Sequence, residues 1–316
     1  SNQRKMLAKP NRSLLLVCLG IVVALPLYAC SGIQAPKENT TLPDLNPPAV
    51  EATAAPLDAT QPASDISGTL PPAQLPQSQE CVKDHGTVET FLIPRNDIKL
   101  SGSIYTPPCY GLDPDYHYPT LYLLHGATET DKQWLDLGIA EAADRLIDSA
   151  VIPPLIIVLP LELTWVALPE NPFGDYLVAE LVPWVDKQYQ TRAESDYRAI
   201  GGLSRGGNWA VRIGMLHWGM FGSIGAHSTP LFYGDLNRVE GWVEVIPTSY
   251  LPAIYLDIGE DDNNLEASRD FQKKLSEFAV PHEWNISPGL HHEDYWAAHI
   301  DDYLVWYTSK WIDINK

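Results

Sequence analysis

The chain has 316 residues, with 21 Lys and Arg against 40 Asp and Glu, a formal net charge of −19 at pH 7. So acidic a protein is a poor partner for nucleic acid, whose phosphates call for cationic surface. The 45% hydrophobic content is that of a globular domain, yet 27 prolines imply a low-complexity part as well.

The chain opens basic, with no acidic residue: Arg4, Lys5, Lys9 and Arg12 precede an apolar run, Leu14 to Leu25. That run is short for a bilayer span and has the length of a signal h-region. It leads into Leu27-Tyr28-Ala29-Cys30, which resembles a bacterial lipobox. Residues 1–30 are therefore read as an export signal with lipidation at Cys30, plain secretion and an uncleaved anchor being the alternatives. The lipid anchor would be the only contact with a membrane. Residues 31–80 are rich in Pro, Ala, Thr, Ser and Gln without apolar periodicity, the composition of an extended, disordered linker. Residues 81–316 make one α/β domain. Cys81 and Cys109 are its two thiols, and in an exported domain they are expected to form a disulfide.

Within the domain, strand and helix patterns alternate. Val88–Ile93 and Lys99–Thr106 read as an antiparallel pair, and Thr120–Leu124 as a strand leading into His125-Gly126-Ala127. Ile139–Ala150 reads as a helix and Leu155–Leu159 as a strand covered on both faces. Tyr176–Tyr189 reads as a helix that Pro183 would kink. A strand ending Tyr197-Arg198-Ala199-Ile200 precedes a glycine-rich turn and a helix, Asn208 to His217, with Trp209, Ile213 and Leu216 expected on one face. Then come a strand Phe221–Ala226, a long aromatic loop Ser228 to Tyr250, and a strand Ile254–Ile258. The last elements are a helix Ala267–Phe278, a strand His282–Ile286 and one closing helix Tyr295–Trp311. Such alternation predicts a mostly parallel sheet with helices on both faces.

The turn is Gly202-Leu203-Ser204-Arg205-Gly206, a Gly-x-Ser-x-Gly pattern between strand and helix. That context suits a nucleophile elbow, which lifts a serine hydroxyl clear of the backbone with a helix N-terminus behind it. A serine nucleophile also needs a base, an orienting acid and oxyanion donors. Two later post-strand loops carry the residue types: Gly259-Glu260-Asp261-Asp262-Asn263-Asn264, and Gly289-Leu290-His291-His292-Glu293-Asp294-Tyr295-Trp296. Asp261 or Asp262, and His291 or His292, are the candidates. His125 reads as a structural residue of its turn, and His227 as a packing residue.

The stretches Tyr122-Leu123-Leu124-His125-Gly126, Arg198 to Gly207 and Phe221-Gly222, with the two loops, resemble the esterase branch of the α/β-hydrolase superfamily, which includes feruloyl and acetylxylan esterases. The resemblance implies the α/β-hydrolase fold and selects Ser204, Asp262 and His291 as the catalytic set. It implies backbone donors at Ala127 and Arg205 for the oxyanion. The sequence shows no His/Cys/Glu cluster at metal spacing and no Gly-rich phosphate loop, so no cofactor and no metal are expected. A small-molecule or polysaccharide ester would be the substrate. Arg205 departs from the Met often found after the family's nucleophile. Trp165 and Phe173, on a loop Leu161 to Asp175, and Phe232 and Trp242 on the later loop, are candidate substrate-binding aromatics.

Overall fold

A computed structural model describes residues 85–94, 100–162 and 171–313, all within the compact unit Pro72–Lys316. The signal, the linker, Cys30, Cys81 and Trp165 lie outside the described residues. Eight strands form one sheet in the order β1-β2-β4-β3-β5-β6-β7-β8. They are β1 Thr87–Ile93, β2 Leu100–Thr106, β3 Thr120–Leu124, β4 Ile156–Pro160, β5 Arg198–Leu203, β6 Ser223–His227, β7 Ala253–Gly259 and β8 His282–Ser287. From β4 to β8 every pairing is parallel, and β2 pairs antiparallel with both β1 and β4.

The central strands are covered on both faces, so β3, β4 and β5 are buried at every position. The pleat sends successive side chains to opposite sides. Tyr122 and Leu124, with Ile156 and Val158, enter one core with Trp209, Ile213 and Phe271. Leu121 and Leu123, with Ile157 and Leu159, enter another with Trp134, Ala143 and Tyr307. The first core is closed by α3 Phe173–Tyr176, α4 Val182–Gln188, α5 Arg205–Leu216, α6 Val239–Val245 and α7 Leu265–Glu277. The second is closed by α1 Gln133–Asp136, α2 Ile139–Asp148, α8 Glu293–Ala298 and α9 Ile300–Asp313. The edge strands β1 and β8 are largely exposed or partly exposed, and polar residues such as Glu89, His282 and Asn285 fit that setting.

Four expectations change in detail. Between α3 and α4 the chain makes a π turn, Leu177–Leu181, immediately before Pro183. Proline lacks an N–H and its ring crowds the preceding turn, and the wider turn absorbs the misfit, so the bend is a bulge within a helical run. The segment read as a long loop contains α6, because Val239, Trp242 and Ile246 recur at helical spacing and are buried. The closing helix is two helices. The His299 ring donates to the Tyr295 carbonyl at 2.7 Å, displacing the backbone amide of His299 to Trp296, and the chain turns there. Leu216 is 46% exposed and does not share the buried face of Trp209 and Ile213.

Candidate active site

Ser204 stands between the end of β5 and the first residue of α5, with φ 52° and ψ −117°. Few non-glycine residues adopt a positive φ, and the cost is about 1–3 kcal/mol. Its amide is held by the His227 carbonyl on β6 at 2.8 Å. The flanking glycines leave the room this turn requires. A Cβ on Gly202 would strike the backbone of Gly206 and Gly207, and a Cβ on Gly206 would strike the Leu124 carbonyl. The hydroxyl therefore stands at the carboxyl edge of the sheet, where open parallel sheets place their sites.

Two loops reach it. His291, after β8, places Nε2 3.0 Å from Ser204 Oγ and Nδ1 2.8 Å from Asp262 Oδ2. The Asp262 side chain is fully buried, whereas that of His291 is 26% exposed. An ionised carboxylate only accepts, so Nδ1 carries the proton and Nε2 is left to accept from the serine hydroxyl. Burial pushes the Asp262 pKa upward. Hydrogen bonds from His291 and the Asn264 amide, the histidine charge and, least, the nearby Ser228 hydroxyl outweigh this and hold it below the ordinary carboxylate value. Asp261 is exposed. His292 is also exposed, and its ring caps α8 by accepting from the Asp294 amide. Of the alternatives left open by the sequence, geometry joins Ser204, His291 and Asp262.

The hydroxyl faces a cleft of about 350 Å³ lined by Ala127, Glu129, Gln133, Ser204, His291 and Trp296, among others. Ala127 thus stands beside the serine. Arg205 opens α5, so its amide is among the first-turn N–H groups that a helix leaves unbonded. Among the described residues no group of three His, Cys, Asp or Glu side chains is arranged to hold a metal ion.

Residues 169–307 match the family model Esterase, described as putative esterase. The domain has the α/β-hydrolase fold, and its C-terminal part resembles the esterase family. The chain is 28% identical over 228 residues to Esterase Rv1288 of Mycobacterium tuberculosis, covering 55% of this chain and 48% of that protein. It is 28% identical over 223 residues to an endo-1,4-beta-xylanase/feruloyl esterase of Xylanibacter ruminicola, covering 66% and 30%. The chain therefore spans half or less of the length of these relatives. A ferulic acid esterase structure superposes with a TM-score of 0.64 at 25% identity, over 72% of this chain and 99% of that one. The feruloyl esterase module of Clostridium thermocellum complexed with sinapinate superposes with a TM-score of 0.62 at 22% identity, over 74% and 92%.

Sequence reasoning about the domain missed a buried cluster behind the elbow. Glu162 is 7% exposed and accepts from Arg205 Nε at 2.9 Å and Nη2 at 2.7 Å, from Trp209 Nε1 at 3.0 Å and from Asn171 Nδ2 at 2.9 Å. Its amide donates to His125 Nε2 at 2.9 Å, while His125 Nδ1 donates to the Gly126 carbonyl at 2.8 Å. His125 is thus a neutral strut with both nitrogens used, the structural role expected of it. The Arg205 side chain turns away from the cleft to this fork, which anchors the start of α5. A signal was available: an arginine directly after the nucleophile must find an acid when α5 is buried.

The candidate aromatics fare unevenly. Phe173 is 5% exposed and packs edge-on against Trp209, and Trp242 is 8% exposed in the same core. Neither lines the cleft at Ser204, because each sits on the buried face of a helix. Phe232 is partly buried between Trp209 and the Arg205 guanidinium, 5.4 Å from its ring. His227 is fully buried in a network described below and does not reach the cleft.

Proposed function

We propose that the domain is a serine carboxylic-ester hydrolase that works through an acyl-enzyme on Ser204. The observation that carries this reading is the 3.0 Å approach of His291 Nε2 to a serine hydroxyl on a strained elbow. His291 Nε2 takes the Ser204 proton as Oγ bonds to the ester carbonyl carbon. The oxygen that gains charge is met by the amides of Arg205 and Ala127, a kind of contact whose loss costs on the order of 100–1,000-fold in serine hydrolases. The bond to the alcohol oxygen then breaks, and that oxygen takes the proton from Nε2. Water repeats the sequence in reverse and releases the acid. Asp262 keeps the Nδ1 tautomer and balances the imidazolium charge.

The substrate class follows from the rim and the relatives together. Glu129 and Glu293 stand exposed at the cleft, so an anionic ester meets repulsion and a neutral one does not. Neutral feruloyl or acetyl esters of polysaccharide fit that rim, and the Xylanibacter relative is an endo-1,4-beta-xylanase/feruloyl esterase. The test is a fluorophosphonate probe with kinetics on nitrophenyl acetate and methyl ferulate. Labelling at Ser204 with turnover of either ester supports the proposal. Labelling without turnover in water, but with acyl transfer to an added alcohol, makes the domain an acyltransferase. No labelling makes it a binding module with a hydrolase fold.

Export is part of the proposal. The basic start and Leu27-Tyr28-Ala29-Cys30 support a lipidated Cys30 with 31–80 as tether. A mature N-terminus other than Cys30 would refute it. A Cys81–Cys109 bridge is supported by Cys109, which is not a free thiol; non-reducing peptide mapping tests the pairing.

A further inference from the structure

Ser228 follows β6 with φ 50° and is fully buried. A serine in that backbone region is uncommon, and the cost of holding it there calls for a reason. Its neighbours supply one. The Ser228 amide donates to the Asp257 carbonyl on β7 at 2.8 Å, and the preceding carbonyl, that of His227, accepts the amide of Ser204 at 2.8 Å. One peptide step therefore spans from the nucleophile's backbone to the strand that leads to Asp262. The Ser228 hydroxyl accepts from the Trp296 indole N–H at 3.0 Å and lies near enough to the Asp262 carboxylate to help lower its pKa. Trp296 meets the His291 ring edge-on, with centroids 5.0 Å apart.

The hydroxyl accepts from the indole, and its own proton remains free to be donated, with the Asp262 carboxylate as a neighbouring acceptor. We propose that Ser228 is a positioning residue: oriented by Trp296, it donates to Asp262 and fixes the carboxylate so that Oδ2 faces His291 Nδ1. The chain Trp296–Ser228–Asp262–His291–Ser204 then runs from a rigid buried ring to the nucleophile. The positive φ is what aims the short hydroxyl back across the sheet edge. Thr229 Oγ1 ties down the His227 carbonyl at 2.9 Å, and the Thr229 carbonyl accepts from Ser268 Oγ at 2.6 Å, so the turn is braced on both sides.

The inference rests on the hydrolase reading above, and the experiment separates the two. Wild type, Ser228→Ala, Ser228→Gly and Trp296→Phe are compared on nitrophenyl acetate, each also combined with Asp262→Ala. Glycine accepts the positive φ without strain, so Ser228→Gly keeps the backbone and removes the hydroxymethyl group, while Ser228→Ala removes only the hydroxyl. Ser228→Ala and Ser228→Gly should lower kcat by about 10- to 100-fold with KM within about twofold, the size of one hydrogen bond to a charged group. Trp296→Phe keeps the ring beside His291 and should lose less, about threefold to tenfold. With Asp262→Ala in place, each further substitution should change kcat by less than about twofold, since the group being positioned is gone. Full kcat in Ser228→Gly, or the same loss with and without Asp262, overturns the inference and leaves the hydrolase intact. An inactive wild type instead removes the reading beneath it.

Discussion

Two of the histidine–aspartate pairs among the described residues share one arrangement. His227 and Asp257 face each other across β6 and β7 as register partners. His291 and Asp262 meet across two loops. In both pairs Nδ1 bonds the carboxylate, and in both Nε2 receives a hydroxyl: Tyr307 at 2.9 Å for His227, Ser204 at 3.0 Å for His291. The surroundings differ. His227 is fully buried, and Asp257 accepts in addition from Tyr295 at 3.1 Å and Tyr303 at 2.7 Å. Burial first, then the charge of Asp257, raises the hydroxyl pKa of Tyr307 well above 10, so that oxygen keeps its proton. The comparison teaches that a His–Asp pair is not itself a catalytic device. What distinguishes the pair on the loops is a primary hydroxyl on a strained turn and an open cleft in front of it.

The largest effects should separate the pairs outright. Ser204→Ala and His291→Ala should each lower kcat on nitrophenyl acetate by about 10⁴- to 10⁶-fold, and by similar factors, because the groups act as a unit. Asp262→Asn should cost about 10⁴-fold through the wrong tautomer. Circular dichroism should show all three folded. At the buried pair the outcome inverts. Asp257→Ala strands the hydroxyls of Tyr295 and Tyr303 and one nitrogen of His227, and should lower urea stability by about 3–5 kcal/mol. The folded fraction should keep kcat within about tenfold. Comparable losses of kcat at both pairs would break the distinction.

The same contrast shows where sequence was informative. The elbow was readable because its glycines are a steric requirement: Gly202 and Gly206 have no space for a side chain. The strands β3 and β4 were readable as apolar runs of strand length, and the alternation of strands with helices predicted a mostly parallel sheet, while the α/β-hydrolase fold came from the resemblance. Asp262 and His291 needed the resemblance, since Asp261 and His292 are chemically equal neighbours and only loop geometry separates them. The buried polar pairs were not readable. Nothing near His227 in the chain announces Tyr307, which lies 80 residues on. Aromatic content misled in the opposite direction, because Phe173 and Trp242 answer to helical periodicity and core burial rather than to a ligand.

A smaller effect should come from the fork behind the elbow. Arg205→Met leaves the Glu162 carboxylate, whose side chain is 6% exposed, without its cation, and Trp209 and Asn171 compensate in part. The expected loss is about 2–3 kcal/mol. Glu162→Gln leaves instead an arginine that is 21% exposed and can recover solvent, at about 1 kcal/mol. Both should keep kcat within about tenfold, because the Arg205 amide survives either change. Equal destabilisation by the two variants would show that the fork is not held by its buried acid.

The smallest effect is a pH dependence at His125. Burial lowers its pKa below 6.5, while the Gly126 carbonyl and then Glu162, Asp131 and Glu129 pull it back only in part. Protonation would also oppose the Glu162 amide with a second donor at Nε2, where an acceptor is needed. In the unfolded chain His125 takes up its proton near pH 6.5, and in the folded domain only at lower pH. Stability from this group is therefore full above about 6.5 and is lost as pH falls through the interval below it, by at most about 1.4 kcal/mol per unit. His217, also lowered by burial, adds a slope of the same sign. His125→Asn retains an oxygen to accept from Glu162 and cannot titrate. Its Tm should therefore fall less steeply than that of wild type between pH 7 and 5, with His217 left to contribute equally in both. Parallel Tm curves would mean that His125 gains its proton at the same pH folded and unfolded, and the neutral strut behind the elbow would have to be abandoned.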